Sequence, residues 1–310
     1  MPPTLLVTGA TGFLGLHVIA AARPRWRVAA TYYNTRRRDA ERALAGCDHG
    51  RIDLTDYRDV RDMLDAVQPT VVLHLAALAD PNYCEQHPNE SLRVNVEAAC
   101  NLAGLCADRD IPFIFTSTDL VFDGLHAPYK EEDPPAPISI YGEHKALAEQ
   151  GVLERHELAL VCRMPLMFGF ATLGRRTFFQ NMVAAFRTGQ TLTLFVDEFR
   201  TPVSGAVAAQ GLLLVAGSGL DEDVNPDGLE RVTGFLHLGG RERVSRYNMG
   251  LLLAELLDVD PSLAEPVSAR DVPVVAARPP DVSLDSSRAY ELGYDPPPLR
   301  QQMERVLRNE

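Results

Sequence analysis

A short apolar run, Leu5-Leu6-Val7, leads straight into Thr8-Gly9-Ala10-Thr11-Gly12-Phe13-Leu14-Gly15. Behind it Phe13, Leu14, His17, Val18 and Ala21 recur at helical spacing. The order is strand, glycine-rich turn, helix. Glycines permit a tight turn and a close approach of backbone to a pyrophosphate. The helix that follows offers unpaired N–H groups and a partial positive charge at its N-terminus. The spacing is G-x-x-G-x-x-G, not the G-x-G-x-x-G of the two-half dinucleotide fold. Without a ligand the same residues would make only a tight strand-to-helix turn.

The pattern of that first unit repeats. Apolar runs predict strands at 4–8, 26–32, 70–75, 112–117 and 158–163, with a weaker one near 50. Helical periodicity predicts helices at 12–22, 36–45, 56–67, 88–108 and 139–154. Strands alternating with helices predict an α/β fold, a doubly wound parallel sheet of the Rossmann-like kind. Past residue 164 the pattern loosens: 217–231 is a Gly/Asp/Pro-rich loop, Leu251 to Leu257 lies on an amphipathic helix, and 260–300 is proline-rich before a short helical tail. Residues 1–164 are therefore expected to form a dinucleotide-binding core. Residues 165–310 are expected to form mainly a smaller, discontinuous substrate lobe, with segments returning to the core.

The 310 residues suffice for a large core, and 46% hydrophobic with 23% charged residues is ordinary for a globular protein. A formal charge of −12 argues against nucleic acid or an anionic membrane as a general partner. It leaves room for an anionic small molecule at a local arginine cluster. No apolar run has the length of a membrane span, and the apolar start belongs to the first strand rather than to a signal peptide. Cys47, Cys84, Cys100, Cys106 and Cys162 are odd in number and lack C-x-x-C spacing, which fits reduced thiols in a cytoplasmic protein. No Cys/His cluster has zinc-ligand spacing, so no metal is expected.

Two segments carry chemistry. Tyr141 and Lys145 stand at i and i+4 in Tyr141-Gly142-Glu143-His144-Lys145, one turn apart on one helix face. An ammonium beside a phenol favours the phenolate, so the tyrosine is expected to titrate below its ordinary value and to exchange a proton with a carbonyl oxygen. The second segment decides the cofactor. The second strand ends at Ala29-Ala30-Thr31-Tyr32-Tyr33-Asn34, without the Asp or Glu that bonds a ribose 2′-OH, and Thr35-Arg36-Arg37-Arg38 follows. An arginine fork suits a 2′-phosphate. NADP(H) is favoured and NAD(H) possible; whether Arg36 or Arg37 reads the phosphate stays open.

Taken together these segments resemble the extended short-chain dehydrogenase/reductase family. Thr8 to Gly15 matches its T-G-x-x-G-x-x-G loop, and Thr118, Tyr141 and Lys145 match its Ser/Thr–Tyr–Lys set. Within it, Ser117-Thr118-Asp119-Leu120-Val121-Phe122-Asp123-Gly124, Pro128-Tyr129-Lys130-Glu131-Glu132-Asp133, Tyr141 to Glu149, and Arg278-Pro279-Pro280-Asp281-Val282-Ser283-Leu284-Asp285 are similar to the dTDP-4-dehydrorhamnose reductase branch. The resemblance implies catalytic roles for Thr118, Tyr141 and Lys145, with Lys145 also on the nicotinamide ribose. It implies cofactor contacts from Gly9, Thr11, Gly12, Phe13, Leu14, Gly15, Arg36, Arg37, Asp53, Leu54, Leu75, Ala76, Ala77 and Thr116. Asn95 would support the active-site backbone.

On the substrate side the resemblance points to Thr118, Val121, Leu166 and Arg200, with Arg246 and Arg278 as weaker candidates. Leu120 replaces the aromatic of the branch's S-T-D-Y, and Leu166 stands where many of these reductases carry a Trp over the sugar. Asp119 is followed by Leu120, so the Asp-Glu pair of the sugar-nucleotide dehydratases is missing. The resemblance thus implies a keto-reductase acting with a small-molecule substrate, a sugar nucleotide first. It extends also to the regulatory β subunit of methionine adenosyltransferase, and to epimerases and reductases of non-sugar carbonyls. A homodimer is expected through 88–108 and 139–154, on Val94, Val96, Ala98, Ala99, Leu102 and Leu105 and on Ile140, Ala146, Leu147 and Val152.

Overall fold

The computed structural model describes residues 2–309. Thr4–Thr8 (β1) is buried along its whole length. Leu5 and Val7 enter one apolar core and Leu6 the other. Val71 and Leu73 against Val72, and Val28 and Ala30 against Ala29, repeat the split. A strand covered on both faces needs apolar residues at every position, which is why these runs do not alternate with polar ones.

After β1 come α1 (Phe13–Ala22), β2 (Arg27–Tyr32), α2 (Arg37–Ala43), β3 (Asp48–Arg51), α3 (Tyr57–Val67) and β4 (Val71–His74). Next are α4 (Pro81–Gln86), α5 (Pro88–Leu92), a π turn at Arg93–Glu97, α6 (Ala98–Ala107), β5 (Phe113–Thr118), α7 (Ile140–Arg155) and β6 (Leu160–Met164). The remainder holds β7 (Met167–Phe168), α8 (Phe178–Arg187), β8 (Leu192–Phe195), β9 (Phe199–Arg200), β10 (Val203–Ser204), α9 (Gly205–Gly217), β11 (Gly234–His237), β12 (Val244–Ser245), α10 (Arg246–Leu256), β13 (Ala264–Val267), α11 (Ser287–Glu291) and α12 (Leu299–Arg308).

Seven parallel strands form the sheet in the order β11-β6-β5-β4-β1-β2-β3. Helices α1, α2 and α9 cover one face, and α3, α6 and α7 the other. The winding direction reverses between β1 and β4, which pair in register Thr8↔His74. In open α/β sheets the crevice at such a reversal is where ligands bind. A third core, built on Phe168, Phe179, Phe186, Met249, Leu253 and Met303, holds the distal lobe. Among the described residues no helix is long and apolar enough to cross a membrane.

One expectation needs correction and two others gain detail. The predicted helix at 88–108 is interrupted: α5 passes into α6 through the π turn, which carries Asn95. The chain also returns to the sheet after the loop that follows α9, adding β11 beside β6. Gly234-Phe235-Leu236-His237 is too short to announce itself as a strand. Finally, most apolar residues assigned to a dimer face are used within the chain. Ala98, Ala99, Leu102, Leu105 and Val152 are all buried in it, and of that set only Leu147 is exposed, at 44%.

Candidate active site

The crevice between β1 and β4 opens into a cavity of about 390 Å³. Gly9, Thr11 and Gly12 line one wall, Asp53 and Leu54 the far end, and Leu75 to Leu78 the other wall. Glycine is required here for two reasons. Gly9 has φ +66°, and a Cβ on it would lie 2.7 Å from Ala76 N and Cα. A Cβ on Gly15 would lie 2.5 Å from the Gly9 carbonyl oxygen. The turn is thereby pressed against the end of β4. The first helical bond of α1 runs from Leu16 N to Gly12 O, so the amides of Phe13, Leu14 and Gly15 precede it. The Phe13 and Leu14 side chains are engaged elsewhere. The Phe13 ring packs on His17, and Leu14 is buried in the core.

Polar side chains fix the crevice walls. Thr8 Oγ1 accepts from Leu75 N at 3.2 Å and Ala76 N at 3.3 Å, and lies 2.8 Å from His74 Nδ1. A hydroxyl that accepts twice donates its own hydrogen to the remaining partner. Burial pushes His74 down to about 3, so its ring is neutral and able to accept. Asn95 grips Leu78 by both backbone groups, accepting from Leu78 N at 2.8 Å and donating to Leu78 O at 3.1 Å. Thr11 and Thr35 hydroxyls meet at 2.7 Å. Thr116 differs from expectation: its hydroxyl donates to His74 O at 2.9 Å, bracing β4 rather than facing the cavity.

A second cavity of about 680 Å³ shares Tyr32 to Thr35 with the first. Arg36 and Arg37 line it, as do His49 and Arg51, which were not anticipated. Arg51 stacks over the Tyr33 ring at 5.1 Å and donates to Tyr33 O. The signal for it lies in register, because Arg51 on β3 pairs with Tyr32 at the end of β2. Arg37 pairs instead with Glu41, Nε to Oε1 at 2.8 Å.

Thr118, Tyr141 and Lys145 converge at the C-terminal end of β5, beside the crevice. Ser139 caps α7 by accepting from Gly142 N. A Cβ at Gly142 would lie 2.2 Å from Leu120 O, so glycine lets the first turn of α7 touch the turn after Thr118. Burial raises the Tyr141 phenol well above its ordinary value. The neighbouring Cys84 and Asp119 act in the same direction, and a hydrogen bond with Thr118 opposes them. This overturns the expectation of a phenol drawn downward by Lys145. The Lys145 ammonium is 2% exposed and donates to Thr116 O at 2.6 Å, with the Phe115 ring centroid at 3.9 Å. Burial pushes it down to about 7, while Glu149 favours its charge.

The substrate side differs more from expectation. Val121 is fully buried against Phe122, Tyr129, Val282 and Leu284. Leu166 is half-buried on the distal core. Arg200 is a strut rather than an anion reader. Its Nη2 donates to Glu198 Oε1 at 2.9 Å, its fork grips the Pro279 carbonyl at 3.2 Å, and Nε lies 3.7 Å from Asp119 Oδ2. Around it, among the described residues, three sealed polar atoms have no hydrogen-bond partner: Asp119 Oδ2, Glu198 Oε2 and Arg246 Nη1. Burial pushes the Asp119 carboxyl up to about 6, against the pull of Arg200. Arg246 is half-buried overall, but its Nη1 is sealed and its guanidinium covers the Phe178 ring at 4.1 Å. The Arg200–Glu198 pair is the structural ion pair that the adjacent carboxylates Asp197 and Glu198 already allow in the sequence, and Arg278 is exposed.

The similarities to known proteins run across nearly the whole length. The family model for the RmlD substrate binding domain matches residues 3–310. A probable low-salt glycan biosynthesis reductase of Haloferax volcanii is 33% identical over 299 residues, 94% of this chain and 93% of that one. Methionine adenosyltransferase 2 subunit beta of Bos taurus is 31% identical over 294 residues, 93% of this chain and 82% of that one. Among solved structures, a dTDP-4-dehydrorhamnose reductase of Bacillus anthracis in complex with NADP aligns over 100% of both chains, with TM-score 0.83 and 21% identity. On a match across residues 3–310 and a relative at 33% identity, the chain belongs to the RmlD family of short-chain dehydrogenase/reductase-type NAD(P)-dependent oxidoreductases.

Proposed function

We propose that this protein reduces a keto group on a nucleotide-diphospho-sugar, with NADPH as the reductant. The observation that carries the reading is the buried Thr118–Tyr141 contact at the strand end beside the crevice, with Lys145 one turn along the same helix. The crevice fits a dinucleotide: a glycine cradle with no room for a Cβ, a helix N-terminus above it, and arginines instead of a carboxylate at the end of β2. The cofactor, bound there, supplies the hydride. Tyr141 donates the proton to the carbonyl oxygen, and its raised pKa keeps the phenol protonated at neutral pH. Thr118 orients that oxygen. We assign Lys145 to the cofactor ribose.

Asp119, Glu198 and Arg246 support a polyhydroxylated substrate. Their unpartnered atoms are two acceptors and one donor, the complement of hydroxyl groups. Leu166, in place of a covering Trp, leaves the sugar unspecified. The similarity to methionine adenosyltransferase 2 subunit beta favours a second reading, an NADP-binding regulatory subunit. The deciding experiment follows NADPH absorbance with a panel of nucleotide keto-sugars and simple ketones. Oxidation with a keto-sugar nucleotide supports the reductase. NADPH binding without turnover on any substrate, together with co-purification of a methionine adenosyltransferase, supports the regulatory subunit.

A further inference from the structure

Between the two catalytic side chains of α7 stands His144, buried at 7% exposure. The imidazole reaches back to α5, where its Nδ1 lies 2.8 Å from Ser91 Oγ. Ser91 is fully buried, and its Oγ accepts from Asn95 Nδ2 at 3.0 Å. Asn95, 1% exposed, holds Leu78, and Leu78 lines the cofactor crevice. An unbroken chain of bonds therefore runs from the catalytic helix to the crevice wall.

Hydrogen accounting makes this chain directional. Leu78 N can only donate and Leu78 O can only accept, so the Asn95 amide has one orientation. One Nδ2 hydrogen goes to Leu78 O, and the other to Ser91 Oγ at 3.0 Å, with the Cys84 sulfur farther off at 4.0 Å. Ser91 keeps a lone pair on Asn95 while its oxygen is held from the other side by His144. A buried hydroxyl without its second partner turns elsewhere, and the sulfur of Cys84 is within its reach. The π turn carries Asn95 one turn beyond Ser91, so both side chains meet between Leu78 and α7.

We infer that His144 is a positioning residue, which ties the Leu78 wall of the cofactor crevice to the catalytic helix through Ser91 and Asn95. The cofactor seat and the proton donor then move as one body. The cofactor part of this inference rests on the reading of the crevice as an NADPH site; the bond chain itself does not.

Three variants test it in the full chain. His144→Phe keeps the ring volume and removes Nδ1. His144→Asn returns a polar atom near the place of Nδ1. Ser91→Ala deletes one oxygen. Two quantities are measured: hydrogen exchange at the Leu78 amide in the cofactor-free protein, and NADPH dissociation constants by fluorescence titration. In His144→Phe and Ser91→Ala, Leu78 exchange quickens and NADPH binds about tenfold more weakly, the scale of a buried polar group losing its partner. The double variant is no worse than either single one, and His144→Asn stays within about twofold of the wild type. Wild-type exchange and affinity in folded Ser91→Ala overturn the inference, as do fully additive losses in the double variant. If His144→Phe does not fold, Ser91→Ala decides. If the wild type binds no NADPH, the functional reading falls, and the exchange comparison still decides the role of His144.

Discussion

The cofactor crevice and the cluster around Arg200 flank the same catalytic residues, yet they are built from opposite materials. The crevice turn is backbone with small, mostly uncharged side chains: Gly9, Thr11, Gly12, Ala76 and Ala77. The cluster is ionised and buried: Asp119, Glu198 and Arg200 are each under 5% exposed. The crevice is fixed by steric exclusion, since no Cβ fits at Gly9 or Gly15. The cluster is fixed by charge balance, and it leaves three sealed atoms unsatisfied. Buried orphans are costly, and a fold keeps them where a ligand completes them. On the proposed function, the contrast separates a seat for the dinucleotide from a seat for the substrate.

The largest expected effect lies in the cluster. Arg200→Met leaves Glu198 and Asp119 without the guanidinium between them. Breaking a buried pair from one side costs about 3–5 kcal/mol. Urea unfolding should show that loss, while NADPH affinity of the folded fraction stays near wild type. An equal loss of NADPH affinity would show that cluster and crevice are not independent. Next in size is Tyr141→Phe, which removes only the phenolic oxygen. Turnover should fall about a hundredfold or more, the scale of a general acid, with NADPH affinity unchanged. Single-turnover kinetics on the variant checks both parts; wild-type rates would exclude Tyr141 as proton donor.

The same contrast governs what the sequence makes legible. The glycine turn, the strands at 4–8 and 26–32, and the Tyr141–Lys145 spacing are local, and local geometry follows from spacing. The cluster is not local. Arg200 is settled by Glu198 two residues away and by the Pro279 carbonyl 79 residues away. Only the first of these is visible as a neighbour in the chain. Val121 loses its expected substrate role because Val282 and Leu284 pack over it, again from far along the chain. The π turn hides within 88–108 because one extra residue per turn barely disturbs helical periodicity. Lys145 illustrates a different limit. Its i,i+4 spacing from Tyr141 reads correctly, but the ammonium turns to the Thr116 carbonyl, a choice set by β5.

Asp119 offers a pH test of the cluster. Its carboxyl is raised from 3.8 to about 6 by burial. Between the unfolded and folded values the native state holds a proton that the unfolded chain has released. Stability from this group is therefore present in full below about pH 4 and lost as pH rises through about 6. Asp119→Asn removes that slope. Relative to the wild type, the variant should gain on the order of 2 kcal/mol between these limits. Thermal unfolding of both proteins across that range measures the difference. A constant offset would mean that Arg200 holds Asp119 ionised throughout.

The smallest effect belongs to the crevice and distinguishes two neighbouring arginines. Arg36 stands just before α2, beside Thr35, whose hydroxyl is bonded to Thr11 of the glycine turn. Arg37 lies one residue on, paired with Glu41 at the surface. Both line the outer cavity, so distance alone does not choose between them. Engagement does: the Arg37 Nε is already spent on a carboxylate, and among the described residues no side-chain cap or ion pair claims Arg36. Arg36→Ala should weaken NADPH about tenfold, the scale of one hydrogen-bonded charge. Arg37→Ala should cost no more than about threefold, because exposed pairs are worth little in either direction. NADH, lacking the 2′-phosphate, should bind both variants as it binds the wild type. Titrating the two cofactors against the two variants gives four ratios. Equal losses for NADPH and NADH in Arg36→Ala would place that side chain on a group common to both. The phosphate would then fall to Arg51, which reaches the same cavity from β3.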